Sequence, residues 1–114
     1  MSEASNLKRA ESLEELERHI KDEKLFLIYL SQPECSVCHA LLPKVESLLE
    51  KFPEIYSMHV DMLEIPETAG RFSIFTVPAL LLFAEGKEVM RQARFVRVEE
   101  LEHNFSKIVK LIND

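Results

Sequence analysis

The sequence predicts an α/β fold in which a central mixed β-sheet is flanked by helices on both faces. Its patterns follow the order helix, strand, helix, strand, helix, strand, strand, helix. The early alternation is typical of β-α-β units, whose strands are parallel. The two consecutive strand segments near the end indicate a hairpin, whose strands are antiparallel. A sheet that contains both kinds of pair buries its apolar strands under helices on each face.

The amino-terminal half begins with a predicted helix. Ser12 and Glu15 have the spacing of a capping box. Apolar residues on one helical face follow: Leu13, Leu16 and Ile20. The continuous apolar run 25–30 has the length of a strand that is covered on both faces. After the next loop a helical apolar stripe occupies 41–52, and Pro43 inside it should kink the helix without ending it because the periodicity resumes.

The carboxyl-terminal half contains shorter elements. Alternating apolar residues predict a strand at 56–60, and a short, weak helix follows at 64–72. A buried strand at 80–83 and a hairpin partner at about 87–95 are joined by a turn that contains Gly86. An amphipathic helix over 101–112 completes the chain.

Length, composition and charge limit the class of protein. We expect one domain over residues 1–114, with residues 1–6 frayed, and the apolar fraction of 46% predicts a packed core. The formal charge of −6 argues against nucleic-acid binding, which needs a basic surface. No apolar run approaches the roughly 20 residues that span a bilayer, and the first residues lack the apolar segment of a secretory signal. We therefore expect a cytoplasmic protein with no nucleic-acid and no membrane partner.

The chain has two cysteines, Cys35 and Cys38, and both lie at the predicted start of a helix. A disulfide between them closes too small a loop to stabilise the fold much. A helix amino terminus stabilises a thiolate, the reactive form of cysteine. Cys35 could therefore attack a partner disulfide to form a mixed disulfide. Cys38, on the same helical face, could then attack Cys35 and release the reduced partner.

Other interpretations of this pair stay open. The cysteines could simply cap a helix that faces the core. They could also hold a metal, although Cys35, Cys38 and His39 offer at most three ligands and structural zinc takes four. An iron–sulfur cluster shared between two subunits is a variant of that interpretation. An intracellular C-x-x-C beside a β-α-β pattern favours redox chemistry over these alternatives.

From about Leu25 to the last helix the chain resembles the thioredoxin family. The shared features are an apolar strand, the C-x-x-C, a helix that contains a proline, Val77-Pro78 before an apolar strand, and a glycine turn. The resemblance implies a thioredoxin-like fold with a cis Pro78 beside the cysteines and a substrate-binding backbone edge at Val77. It also implies protein disulfide substrates, an upstream reductase or thiol donor, and no bound cofactor.

The chain departs from the family pattern around the cysteines. Residues 34–38 read Glu-Cys-Ser-Val-Cys where the family usually has Trp-Cys-Gly-Pro-Cys. The negative charge of Glu34 should raise the pKa of the Cys35 thiol. The family's buried aspartate matches Tyr29, and the lysine commonly paired with it matches Ser57. The loss of both removes the ordinary proton acceptor for the second cysteine.

His39 is the candidate replacement, because it lies one helical turn after Cys35 and could stabilise the thiolate or shuttle its proton. The alternative is an exposed histidine without a role. We expect the other three histidines to have no role: His19 lies on a polar helix face, and His59 and His103 look like surface residues.

Three arginines, Arg91, Arg94 and Arg97, form a basic cluster in an acidic chain. The family has a small glycine just beyond the position of Ala93, where this chain has Arg94. The arginines could be solvated side chains that protect an edge strand from aggregation. Alternatively they form a rim that favours acidic partners.

The sequence thus predicts a thiol–disulfide oxidoreductase that reduces protein disulfides. The predicted catalytic residues are Cys35, Cys38 and His39, and the predicted substrate-binding residues are Glu34, Val77 and Pro78. The alternative is a thioredoxin-fold binding module or redox sensor, in which the pair changes oxidation state with slow or no turnover.

Overall fold

The computed structural model describes residues 7–113, which form five strands and four helices. In chain order the elements are β1 (Leu7–Arg9), α1 (Leu13–Asp22), β2 (Leu25–Ser31), α2 (Ser36–Leu49), β3 (Tyr56–Asp61), α3 (Glu67–Phe72), β4 (Ala79–Ala84), β5 (Lys87–Ala93) and α4 (Val98–Asn113). Residues 1–6, which the sequence predicts to be frayed, lie outside the described residues. None of the helices within 7–113 is long and apolar enough to cross a bilayer.

The five strands form one mixed sheet in the order β1-β3-β2-β4-β5. β1 and β2 both pair with β3 in parallel, whereas β4 pairs antiparallel with β2 and with β5. All seven residues of β2 are buried, as the continuous apolar run predicts. The predicted mixed sheet is therefore confirmed.

The first strand, β1, is missing from the predicted order, which begins with a helix. It has three residues and a single apolar side chain, Leu7, so it carries no readable alternation. Backbone pairing with β3 and a hydrogen bond from Ala10 N to His59 O (2.8 Å) hold it at the sheet edge. Tertiary pairing, rather than a local pattern, forms this element.

Two apolar cores lie on opposite faces of the sheet. α1 and α3 cover one face, where Leu16, Ile20 and Phe72 are buried against alternate sheet residues. α2 and α4 cover the other face, where Val45 and Phe105 are buried. Helices on both faces match the predicted architecture. α2 continues through Pro43, as the resumed periodicity predicts.

One edge of the sheet gathers the loops that carry the predicted site. Leu30, near the end of β2, pairs with Ala79 at the start of β4, and Ala79 pairs with Ala93 at the end of β5. The loop that leads to Cys35 and the residue before β4, Pro78, therefore emerge at the same edge.

Candidate active site

Cys35 and Cys38 are joined by a disulfide with their Cα atoms 5.2 Å apart. Cys35 is the N-cap residue of α2 and is partly exposed, whereas Cys38 is only 1% exposed. The Cys38 backbone N–H donates to Cys35 Sγ at 3.1 Å. The pair therefore presents one accessible sulfur, at a helix amino terminus, and one buried sulfur behind it.

The start of α2 is an environment that favours a thiolate at Cys35. Its sulfur receives a backbone N–H, and the first turn of the helix contains no acidic side chain. Both features stabilise negative charge on the N-cap sulfur. Glu34, which is exposed and directly precedes Cys35, acts in the opposite direction.

Tyr29 lies beneath the second cysteine. Its side chain is fully buried, and its hydroxyl donates to the Cys38 carbonyl oxygen at 2.5 Å. Burial raises the pKa of Tyr29 to about 12, because the phenolate would be poorly solvated there. The phenol is therefore protonated at neutral pH. It can hold the backbone of Cys38 but cannot take a proton from the thiol.

The strand neighbour of Tyr29 is His59, not Ser57. The β2–β3 register places His59 opposite Tyr29, with ring centroids 5.7 Å apart, and places Ser57 opposite Leu27. The predicted match of Ser57 to the family's lysine concerns its place in the family pattern, and it stays a prediction. Ser57 and His59 lie on one face of β3, and the register of the two strands, which an alternating pattern does not fix, places His59 opposite Tyr29.

His59 is also more enclosed than a surface histidine. It is half-buried, and its Nε2 lies 2.6 Å from the hydroxyl of Ser31. Burial lowers the pKa of His59, and the positive charge of Arg9 adds to the effect. The prediction that it looks like a surface residue is wrong, because its ring packs beside Tyr29 and contacts Ser31 instead of standing in solvent. His19 is half-buried too and stacks on Tyr56, whereas His103 is exposed.

His39 is exposed near the start of α2. Its Nε2 lies 2.7 Å from the Pro33 carbonyl oxygen, and since a carbonyl only accepts, this nitrogen carries a proton. The ring therefore braces the loop that leads to Cys35. The hydrogen bond ties His39 to that loop and not to a sulfur atom.

The Val77–Pro78 peptide bond is cis, as the resemblance implies. Pro78 is buried, and its carbonyl oxygen accepts a hydrogen bond from Arg94 N at 2.8 Å. Within the described residues the backbone N–H and C=O of Val77 have no hydrogen-bond partner. Val77 lines a shallow depression with Gln32, which belongs to the loop before the cysteines. A free backbone edge thus lies beside the disulfide loop.

Apolar side chains stand exposed on three segments at or next to this edge. Val37 between the cysteines is 59% exposed, Phe75 before the cis peptide is 91% exposed, and Phe95 after β5 is 81% exposed. Exposed large apolar groups near a reactive centre are typical of a surface that contacts a partner. Sequence patterns did not single out Phe75, because nothing local distinguishes it from a core residue.

No group of three or more His, Cys, Asp or Glu side chains within 7–113 is arranged to hold a metal ion.

Sequence comparisons place the chain in a family. The thioredoxin family model matches residues 8–109. The thioredoxin-like protein YdfQ of Bacillus subtilis (strain 168) is 47% identical over 100 residues, which cover 88% of this chain and 89% of that protein. Thioredoxin-1 of Saccharomyces cerevisiae is 29% identical over 77 residues, which cover 68% and 75% of the two chains. The chain therefore belongs to the thioredoxin family.

Solved structures show the same fold. Plasmodium falciparum thioredoxin superposes with a TM-score of 0.82 at 19% identity, over 89% of this chain and 98% of that one. Fasciola hepatica thioredoxin superposes with a TM-score of 0.76 at 25% identity, over the same shares. The predicted thioredoxin-like fold is confirmed. Family membership and the Cys35–Cys38 pair together support thiol–disulfide oxidoreductase chemistry in general.

Proposed function

We propose that this protein reduces protein disulfides through a mixed-disulfide intermediate, with Cys35 as the nucleophile and Cys38 as the resolving thiol. One observation carries the assignment of roles. The Cys35 sulfur is accessible and receives a backbone N–H at the start of α2, whereas Cys38 is 1% exposed. An external disulfide can reach the first sulfur only, and the second sulfur can reach the first.

The reaction balances as a two-electron exchange. The Cys35 thiolate attacks one substrate sulfur, the substrate S–S bond breaks, and the other sulfur leaves as a thiolate that takes up a proton. Deprotonated Cys38 then attacks Cys35 Sγ, which forms the Cys35–Cys38 disulfide and releases the first substrate sulfur. The substrate has gained two electrons and two protons. An upstream reductase or thiol donor returns them to the cysteine pair, and the cycle needs no bound cofactor.

Substrate binding is assigned to the edge beside the disulfide. The unpartnered backbone of Val77 can pair with an extended substrate segment as an added strand. Pro78 shapes that edge through its cis bond. Val37 and Phe75 offer apolar contacts, and Glu34 borders the site on the α2 side. We assign the cytoplasm as the compartment, where a reducing environment keeps such a pair supplied with electrons.

Proton transfer is the step in which this chain departs most from its family. Tyr29 stays protonated, so it positions Cys38 without accepting its proton. We assign His39 a positioning role, since its ring bonds to the loop before Cys35. The Cys38 proton then passes to water or to the departing substrate thiolate.

The lack of a proton acceptor at Tyr29 favours the second candidate function, a redox sensor with slow turnover. No carboxylate is buried near Cys38 among residues 7–113, so deprotonation of Cys38 and release of the substrate are slowed. The two candidates differ in the turnover rate, not in the chemistry of the pair.

A trapping experiment tests the proposed function. The Cys38→Ser variant should accumulate a mixed disulfide with a protein substrate, visible as a dithiothreitol-sensitive band, because no resolving thiol releases it. Cys35→Ser is the matched control and should trap nothing. The wild type with dithiothreitol as donor should reduce the substrate over many cycles. Trapping with no wild-type turnover would support the sensor, and equal trapping by both variants would contradict the assigned roles.

A further inference from the structure

Arg94 lies at the rim of the site, in a backbone conformation that is more typical of glycine than of a residue with a side chain. Its φ angle is 73°, in the left-handed region that glycine adopts at least cost. Its backbone N–H donates to the Pro78 carbonyl oxygen at 2.8 Å, so its Cα is anchored directly beside the cis peptide. The chain thus holds a long cationic side chain where glycine would fit with less strain.

The charge of Arg94 is not neutralised by any carboxylate among residues 7–113. Arg9, Arg71 and Arg91 each bind a carboxylate: Glu64 and Asp61, Glu17, and Glu88, respectively. Within the described residues Arg94 has no ion-pair partner, and its guanidinium lies 5.2 Å from the centroid of the Phe95 ring. Phe95 is itself 81% exposed. A cation held on an exposed aromatic ring is available to a partner.

Opposite charges flank the substrate edge. Glu34 follows β2 and Arg94 follows β5, and the strand between them, β4, begins just after Pro78. A substrate segment paired with Val77 therefore lies between a negative group on one side and a positive group on the other. Such a charge difference across a site selects and orients a partner.

We infer that Arg94 is a specificity-determining residue that favours substrates with an aspartate or glutamate next to the disulfide cysteine, on the side that faces β5. This inference rests on the proposed function. The chain as a whole carries a charge of −6, which repels acidic partners, so the attraction is local to this rim. Arg97 also has no ion-pair partner within 7–113, but it lines a separate groove between α2 and the start of α4, so the inference concerns Arg94 alone.

Matched peptides test the inference. Each contains one intramolecular disulfide and differs only in the residues that flank it: Asp, Asn or Lys, placed before or after the cysteine. An exposed ion pair changes kcat/KM by about 2- to 5-fold. The wild type should favour Asp over Lys on one side by at least that factor. The preference should shrink at high ionic strength, because salt screens the exposed charge.

Variants distinguish the effect of Arg94 on substrate choice from the effect of the protein's overall charge. Arg94→Gly suits the local backbone and should abolish the preference, and Arg94→Glu should reverse it. Arg18→Glu, a matched charge reversal at an exposed site on α1, should leave the ratio unchanged, because α1 packs on the opposite face of the sheet from α2. An unchanged Asp-to-Lys ratio in Arg94→Gly, in protein whose thermal midpoint is at or above that of the wild type, would overturn the inference.

A binding measurement keeps the inference independent of turnover. Fluorescence anisotropy can measure how the same labelled peptides, with their cysteines alkylated, bind to the wild-type protein. If the wild type reduces no peptide, the proposed function fails. In that case a tighter Kd for the Asp peptides that is lost in Arg94→Gly still supports the charge selection, whereas equal Kd values overturn it.

Discussion

At the scale of single residues, the contact between Tyr29 and Cys38 links the core to the redox pair. The buried phenol donates to the carbonyl of the helical residue that carries the resolving thiol. A carboxylate there could accept the proton of that thiol, whereas a phenol whose pKa is raised to about 12 cannot. At the position matched to the family's buried aspartate, Tyr29 therefore holds the Cys38 backbone in place and does not accept the thiol proton.

Tyr29→Phe should change the pH dependence of stability above pH 10. The folded phenol has the higher pKa, so the folded state binds more protons than the unfolded state between about pH 10 and 12. Stability is fully present below that range and falls as pH rises through it, by about 2–3 kcal/mol in total. Urea unfolding of both proteins from pH 7 to 11 measures the first part of this fall, which is about half of its total.

Tyr29→Phe should lack this decrease in stability at high pH. At pH 7 its free energy of unfolding should be lower by about 1 kcal/mol, because the hydrogen bond to Cys38 is lost. Tyr56 stays in both proteins and serves as the internal control. Parallel stability curves over the whole range would contradict the raised pKa.

At the scale of helices and strands, the elements with a strong local hydrophobic pattern were predicted correctly. The apolar runs of β2 and β4 and the stripes of the long helices are visible because burial repeats with the period of the element. β1 was not predicted because its three residues are held by pairing with β3, and a local sequence pattern does not show such pairing. The position of His59 opposite Tyr29 was not predictable for the same reason, since register is a property of two strands together.

In the candidate site, too, some residues could be predicted from local motifs and others could not. The cysteine pair and Val77-Pro78 are short motifs that the sequence displays directly. The exposed apolar group Phe75 and the anchoring of Arg94 to Pro78 depend on which loops meet at the sheet edge. Those contacts join positions far apart in the chain, and only the folded structure brings them together.

Ser12→Ala should destabilise α1, because the Ser12 hydroxyl accepts from Glu15 N at 3.1 Å as the N-cap of that helix. Loss of such a cap costs about 1 kcal/mol of folding free energy. Chemical denaturation measures the change. Ser106→Ala is the matched control, because Ser106 is exposed inside α4 and caps nothing. Equal effects of the two substitutions would contradict the capping assignment.

At the scale of the whole molecule, the mixed sheet acts as a platform with helices on both faces and chemistry at one edge. α2 is packed through the core residues Val45 and Leu49, so the helix start that holds Cys35 is fixed relative to the loop of Pro78. The acidic surface carries a local basic rim at Arg94, beside that same edge. A rigid platform presents the reactive sulfur, a free backbone edge and a charge to a partner at once.

The reduction potential of the Cys35–Cys38 pair tests the central claim, that this protein is a disulfide reductant, most directly. The pair would be equilibrated in dithiothreitol or glutathione buffers and read by thiol alkylation. We expect a value on the order of −270 mV, similar to thioredoxin, because the pair lies at a helix start in a chain of that family and the Cys35 sulfur accepts a backbone N–H. A value near −120 mV, typical of an oxidant, or failure to form the disulfide at all would contradict the claim.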